Sequence, residues 1–156
     1  TEDWSIISEI GMLDAASLKV AQQGPTAPCD APIGIAMDVK NGRLFSACGN
    51  KQMAVIEAES GKVLASVPAG AGASGAGFDP GTGTAFVANG GEGTLTVVKE
   101  SGGKYAPAQT VKTARGARTM AVDPKTGNVY LPAVEYEATP AAPVVPDSFM
   151  LLVVGK

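Results

Sequence analysis

The chain has 156 residues, 45% of them hydrophobic and 17% charged, a composition that suits one globular unit and not a disordered segment. A net charge of −3 gives no concentrated basic face for nucleic acid, and no apolar run approaches the ~20 residues of a membrane helix. Histidine is absent, which removes Ser-His-Asp and Cys-His catalysis, and any His-ligated zinc, copper or haem, from within this chain.

In chain order, the sequence opens Thr1-Glu2-Asp3-Trp4, without an initiator Met or a signal peptide, as expected of a processed or excised product. Residues 6–14 and 17–21 then read as two strands. Residues 33–38, 43–48, 52–57 and 62–67 read as four more, with turns at Asn41-Gly42 and Glu59-Ser60-Gly61. A second run of four covers 75–78, 84–88, 94–99 and 106–112, punctuated by Asp79-Pro80-Gly81-Thr82-Gly83, Asn89-Gly90-Gly91 and Ser101-Gly102-Gly103. The last run has three, at 119–123, 127–132 and 149–154. No stretch shows sustained helical periodicity flanked by caps.

These runs repeat. Ile35-Ala36-Met37-Asp38, Ala76-Gly77-Phe78-Asp79 and Met120-Ala121-Val122-Asp123 occupy the same place in successive units, and their aspartates are 41 and 44 residues apart. A period in this range with several short strands per unit marks β-propeller blades. The expected fold is therefore all-β, a propeller of four-stranded antiparallel blades. The tally of two, four, four and three strands makes about half a ring. The expected divisions of this single partial domain are a half blade at 4–24, blades at 30–69 and 70–113, and an incomplete blade at 114–156. Blades bury their faces only against neighbours. The expected partner is a second copy of the chain or the missing half of the propeller.

Ala85-Phe86-Val87-Ala88-Asn89-Gly90, followed by Gly91-Glu92-Gly93 and Leu95-Thr96-Val97-Val98, resembles the YVTN-type repeat. With Asp79-Pro80-Gly81-Thr82-Gly83, the segment from Lys112 to Ala121 and the terminal Leu151-Leu152-Val153-Val154-Gly155-Lys156, residues 27–156 look like the C-terminal half of a bacterial YncE-like β-propeller. The resemblance implies a seven-bladed ring about twice this length, often exported. It implies little about function.

Few residues offer chemistry. If the strands about Asn41-Gly42 pair as a hairpin, Cys48 lies opposite residue 33, with Cys29 four residues upstream of it. The register suits a disulfide, with two buried free thiols as the alternative. A disulfide would place the protein outside the cytoplasm, in the periplasm or secreted. Arg115 and Arg118 lie in the segment leading into an innermost strand, with Lys112 close by, where they could bind a carboxylate or phosphate at the mouth of the channel. An ion pair of Arg115 with Asp30 or with a missing blade's acid is the structural alternative. Residues 133–147 form a long proline-rich insertion, expected to be stiff and extended. Its alternating Glu135 and Glu137 are weak candidates for Ca²⁺. Asp38, Asp79 and Asp123 read as turn residues that accept backbone N–H groups. Gly70-Ala71-Gly72-Ala73-Ser74-Gly75 matches a dinucleotide fingerprint in letters only, because a strand and not a helix follows it.

The expected function is a non-enzymatic binding or assembly module, with no cofactor and with contacts at the channel mouth and loops. The alternatives are a lactonase-like hydrolase, a quinoprotein-like oxidoreductase (which Trp4, the only tryptophan, speaks against) and a structural subunit that assembles by pairing of blade edges.

Overall fold

A computed structural model of the chain describes residues 9–138 and 143–155. Trp4, residues 6–8 of the first expected strand and part of the proline-rich insertion lie outside the described residues. Thirteen strands are present among the described residues and no helix: β1 (Glu9–Leu13), β2 (Val20–Pro25), β3 (Pro32–Asp38), β4 (Arg43–Cys48), β5 (Gln52–Glu57), β6 (Val63–Pro68), β7 (Ala73–Asp79), β8 (Thr84–Asn89), β9 (Thr94–Ser101), β10 (Lys104–Lys112), β11 (Ala121–Val122), β12 (Val129–Ala133) and β13 (Met150–Val154).

They form four antiparallel meanders, β1-β2, β3-β4-β5-β6, β7-β8-β9-β10 and β11-β12-β13. Each meander forms because alternating apolar strands are joined by turns whose residues accept the required φ. Gly42, Gly83 and Gly127 end the equivalent turns at φ 61°, 63° and 72°. Within each of these turns the aspartate ties down the backbone. Asp38 accepts from Asn41 N at 3.2 Å and Nδ2 at 2.6 Å. Asp79 accepts from Gly81 N at 2.9 Å and Thr82 Oγ1 at 2.6 Å. Asp123 accepts from Lys125 N at 2.9 Å and Thr126 Oγ1 at 2.8 Å.

Two registers differ from the sequence expectation. Cys48 pairs with Pro32 and not with residue 33, because a bulge falls between Pro32 and Gly34. The same bulge recurs between Ala73 and Gly75. The extra residue lets the innermost strand bend where it leaves its lead-in loop. The second strand of the chain also starts later than 17–21 suggests. Ser17 N donates to Asp14 Oδ1 at 2.7 Å and Leu18 adopts φ 55°, so the turn consumes those residues and β2 begins at Val20.

Successive sheets pack through their innermost strands, β3 against β7 and β7 against β11. Each of these strands has a small face and a bulky face. A Cβ on Gly34 would run into the Ser74 carbonyl oxygen, and one on Gly75 would lie 2.7 Å from the Arg118 carbonyl oxygen. One on Gly77 would lie 2.7 Å from both Met120 Sδ and Val122 Cγ2. Small residues thus admit the backbone of the next strand at Gly34 and Gly75 and its side chains at Gly77. Between the second and third sheets lie Phe45, Met53, Val55, Val67, Val87 and Val98, with the rings of Phe45 and Phe78 stacked at 5.2 Å and Tyr105 edge-on to Phe45 at 6.0 Å. Between the third and fourth lie Leu95, Val129 and Leu131.

Candidate functional site

The segment leading into each innermost strand is built alike. Seven residues before the turn aspartate the backbone takes positive φ, at Ala31 (47°), Gly72 (69°) and Gly116 (86°). In the first two four-stranded sheets this bend receives the short turn that ends the second strand. Gly49 N donates to the carbonyls of Asp30 (2.8 Å) and Ala31 (3.1 Å), and Gly90 N to that of Gly72 (3.0 Å). The two cysteines flank this junction. Cys29 and Cys48 form a disulfide with Cα atoms 5.4 Å apart, both fully buried beside Ala54 and Ile56. The equivalent pair in the next sheet is Gly70 and Asn89, packed so that a Cβ on Gly70 would lie 2.9 Å from that of Asn89.

In the last sheet the short turn is replaced by the insertion that follows β12. It folds back on itself as a small hairpin. Tyr136 bridges Val144, Val145 N donates to the Glu135 carbonyl and Glu137 N to that of Pro143, both at 2.9 Å. Ser148 fastens the base, accepting from Glu135 N at 3.0 Å and donating to the Val145 carbonyl at 2.6 Å. Where sequence composition suggested a stiff extended loop, the described backbone at 135–137 pairs with that at 143–145, because their N–H and carbonyl groups satisfy one another. The hairpin carries Tyr136 onto Gly116. A Cβ on Gly116 would lie 2.6 Å from Tyr136 Cε2 and 2.9 Å from its Oη, so only glycine admits the ring.

This contact frames a site at the entrance to the last sheet. Arg115, Arg118 and Tyr136 line a cavity of about 210 Å³ floored by Gly90, Gly91 and Gly116. On its other side, Arg115 and Tyr136 line a second cavity of about 480 Å³ with Glu135 and Glu137. Both arginines and both glutamates are exposed, and Tyr136 is half-buried. The one salt bridge among the described residues joins Arg43 to Glu57 at 3.6 Å. Arg115 does not pair with Asp30, whose carboxylate instead accepts from Asn50 Nδ2 at 3.4 Å. Lys112 is exposed at the end of β10 and is not among the residues lining either cavity. Tyr136 escaped the sequence reading. A tyrosine inside an insertion carries no local signal, and only the positive-φ glycine it covers gives its position meaning.

Other sequence candidates stay apart. The three turn aspartates belong to three different sheets. Gly70-Ala71-Gly72 leads into β7, and no helix follows. No group of three or more carboxylate or thiol side chains able to hold a metal occurs among the described residues. Two further cavities, of about 490 and 430 Å³, lie between neighbouring sheets with Phe45 in one and Phe86 in the other. They recur at equivalent places and follow from the repeat. A cavity of about 320 Å³ is different in kind. It is apolar, and Ile10, Met12, Ile35, Met37 and Leu44 line it between the first two sheets.

No protein-family model and no curated protein matches the chain. Solved structures do. Kuenenia stuttgartiensis hydrazine synthase superposes with a TM-score of 0.72 at 16% identity, covering 95% of this chain and 44% of that one. The WD40 β-propeller domain of Doa1 superposes with a TM-score of 0.68 at 14% identity, covering 96% of this chain and 44% of that one. The chain builds about half a β-propeller. Identities this low carry the fold and nothing of either protein's activity.

Proposed function

We propose that the protein is a non-catalytic propeller module that works by assembly and ligand contact, in an oxidising compartment outside the cytoplasm. One observation carries the assembly reading: the innermost strand at one end of the array and the outer strand at the other both present apolar side chains to solvent. On β3, Ile35 and Met37 are 57% and 47% exposed, although the equivalent Ala76 and Phe78 on β7 pack against the preceding sheet. On β13, Leu151 and Val153 are 54% and 55% exposed. Among the described residues the first sheet consists of β1 and β2, and the apolar cavity beside Ile35 and Met37 has room for further strands to pack. A segment supplying such strands, from a second copy or from the rest of a propeller ring, is the expected occupant.

The resemblance to YncE-like proteins is consistent with this reading, and the Cys29–Cys48 disulfide supports the oxidising compartment. The ligand contacts assigned here are Arg115 and Arg118, whose guanidinium groups are free of ion pairs among the described residues. Light scattering across a dilution series tests the assembly. Mass should exceed that of one chain at micromolar concentration, for the chain alone or after adding a polypeptide that supplies further blade strands. A single-chain species that stays compact and gains no mass under either condition overturns the reading.

A further inference from the structure

The local charge around the arginines argues against a simple anion. Glu135 and Glu137 share a cavity with Arg115. Two carboxylates therefore stand beside the cleft that holds two guanidinium groups. A phosphate or sulfate would meet the repulsion of these acids along with the attraction of the bases. A ligand carrying both charges would not. The arrangement has an order as well. Arg118 lies only on the glycine-floored side, Glu135 and Glu137 lie only on the other, and Arg115 and the half-buried Tyr136 belong to both. The insertion that brings the acids is the same one that brings Tyr136, so the two cavities arise together.

We infer that this cleft binds a small amino-carboxylate. The carboxylate sits on Arg115 and Arg118 and the ammonium points toward Glu135 and Glu137, with the Tyr136 ring between. Guanidinium groups suit a carboxylate because their paired N–H donors match its two oxygens. The aromatic ring next to the acids adds a face that attracts an ammonium. This inference rests on the reading of the cleft as a ligand contact and is independent of assembly.

The test is calorimetric or NMR titration of the whole chain at low ionic strength with acetate, methylammonium, inorganic phosphate and a series of ω-amino acids from glycine to 6-aminohexanoate. At least one amino acid should bind tenfold or more tightly than acetate, methylammonium or phosphate. Arg115→Gln with Arg118→Gln should abolish binding. Glu135→Gln with Glu137→Gln should reduce the best amino acid to the affinity of acetate. All four positions are exposed, so an unchanged far-UV spectrum and melting temperature should accompany each variant. Phosphate or acetate binding as tightly as every amino acid, with the arginines required, overturns the amino-carboxylate inference and leaves an anion contact. Absence of binding by any probe, or binding that survives loss of both arginines, overturns the ligand contact itself.

Discussion

Asp123 accepts a backbone hydrogen bond from Lys125 and a side-chain one from Thr126, and these, the backbone bond foremost, hold its pKa below the usual carboxylate value. A folded pKa lower than the unfolded one means that the turn's contribution is present above the unfolded value and is lost as the pH falls through the folded one. The Lys125 amide resonance should therefore titrate with a midpoint below that of an ordinary aspartate, and Asp123→Asn should remove the titration. A midpoint at or above the ordinary value would contradict the assignment. Asp14 is lowered in the same sense by its hydrogen bonds from Ser17. Glycine sets the other constraint at this scale. Gly34→Ala would place a methyl group against the Ser74 carbonyl oxygen and 2.7 Å from Ala76 N, both backbone atoms that cannot move alone. Overpacking of this kind typically costs about 1–3 kcal/mol, seen as a lower melting temperature. Gly24→Ala, with nothing within 4 Å of the new methyl group, should be close to neutral and serves as the control.

Among the elements, the junction between lead-in segment and second strand is where the sheets differ most. The same two positions hold a disulfide in one sheet, the glycine–asparagine contact in the next, and Ala114 and Ala133 in the last. Both of those alanines pack in the core between the third and fourth sheets. Cys29 and Cys48 are separated by 19 residues, and a loop of that size contributes on the order of 3 kcal/mol when closed. Reduction, or Cys29→Ser with Cys48→Ser, should lower the unfolding free energy in denaturant by about that much. No change on reduction would show that the bridge does not form in solution. Because Ala114 and Ala133 stand at the same offsets from Asp123 as Cys29 and Cys48 do from Asp38, Ala114→Cys with Ala133→Cys should oxidise to a second intrachain disulfide, detectable by intact mass after alkylation. Two freely alkylating thiols would mean that the last sheet does not share this junction.

On the scale of the whole molecule, burial is distributed unevenly. The interfaces between the second, third and fourth sheets are closed by Phe45, Val87, Leu95 and Leu131, whereas the cavity beside the first sheet keeps Ile35 and Met37 in water and the last strand keeps Leu151 and Val153 there. Each ~100 Å² of apolar surface removed from water contributes about 2.5 kcal/mol, so covering either face favours association unless the entropic cost of docking exceeds it. Ile35→Lys and Leu151→Lys should therefore each reduce assembly without lowering the melting temperature of the array, because neither side chain is part of a closed interface. A variant that melts early but still assembles would locate the contact elsewhere.

The sequence by itself determined the repeat, the strand content and the turns, because a period-2 apolar pattern and Gly, Asn and Asp at fixed offsets act locally. Thr84 to Ala88 can be read as a strand and Asp79 as a turn anchor without knowledge of any neighbour. The proximity of Cys29 and Cys48 was legible too, since a hairpin register follows from its turn. Tertiary structure decided the rest. The bulge at the start of β3 appears only when the innermost strand must bend to meet its lead-in loop, and it moves Cys48 opposite Pro32. The small faces of Gly34 and Gly75 acquire meaning only from the strand packed on them. Tyr136 reaches Arg115 and Arg118 because a hairpin formed after β12 folds onto a positive-φ glycine about twenty residues upstream. Contacts between segments that far apart are fixed by packing and chain closure, which no local residue pattern encodes.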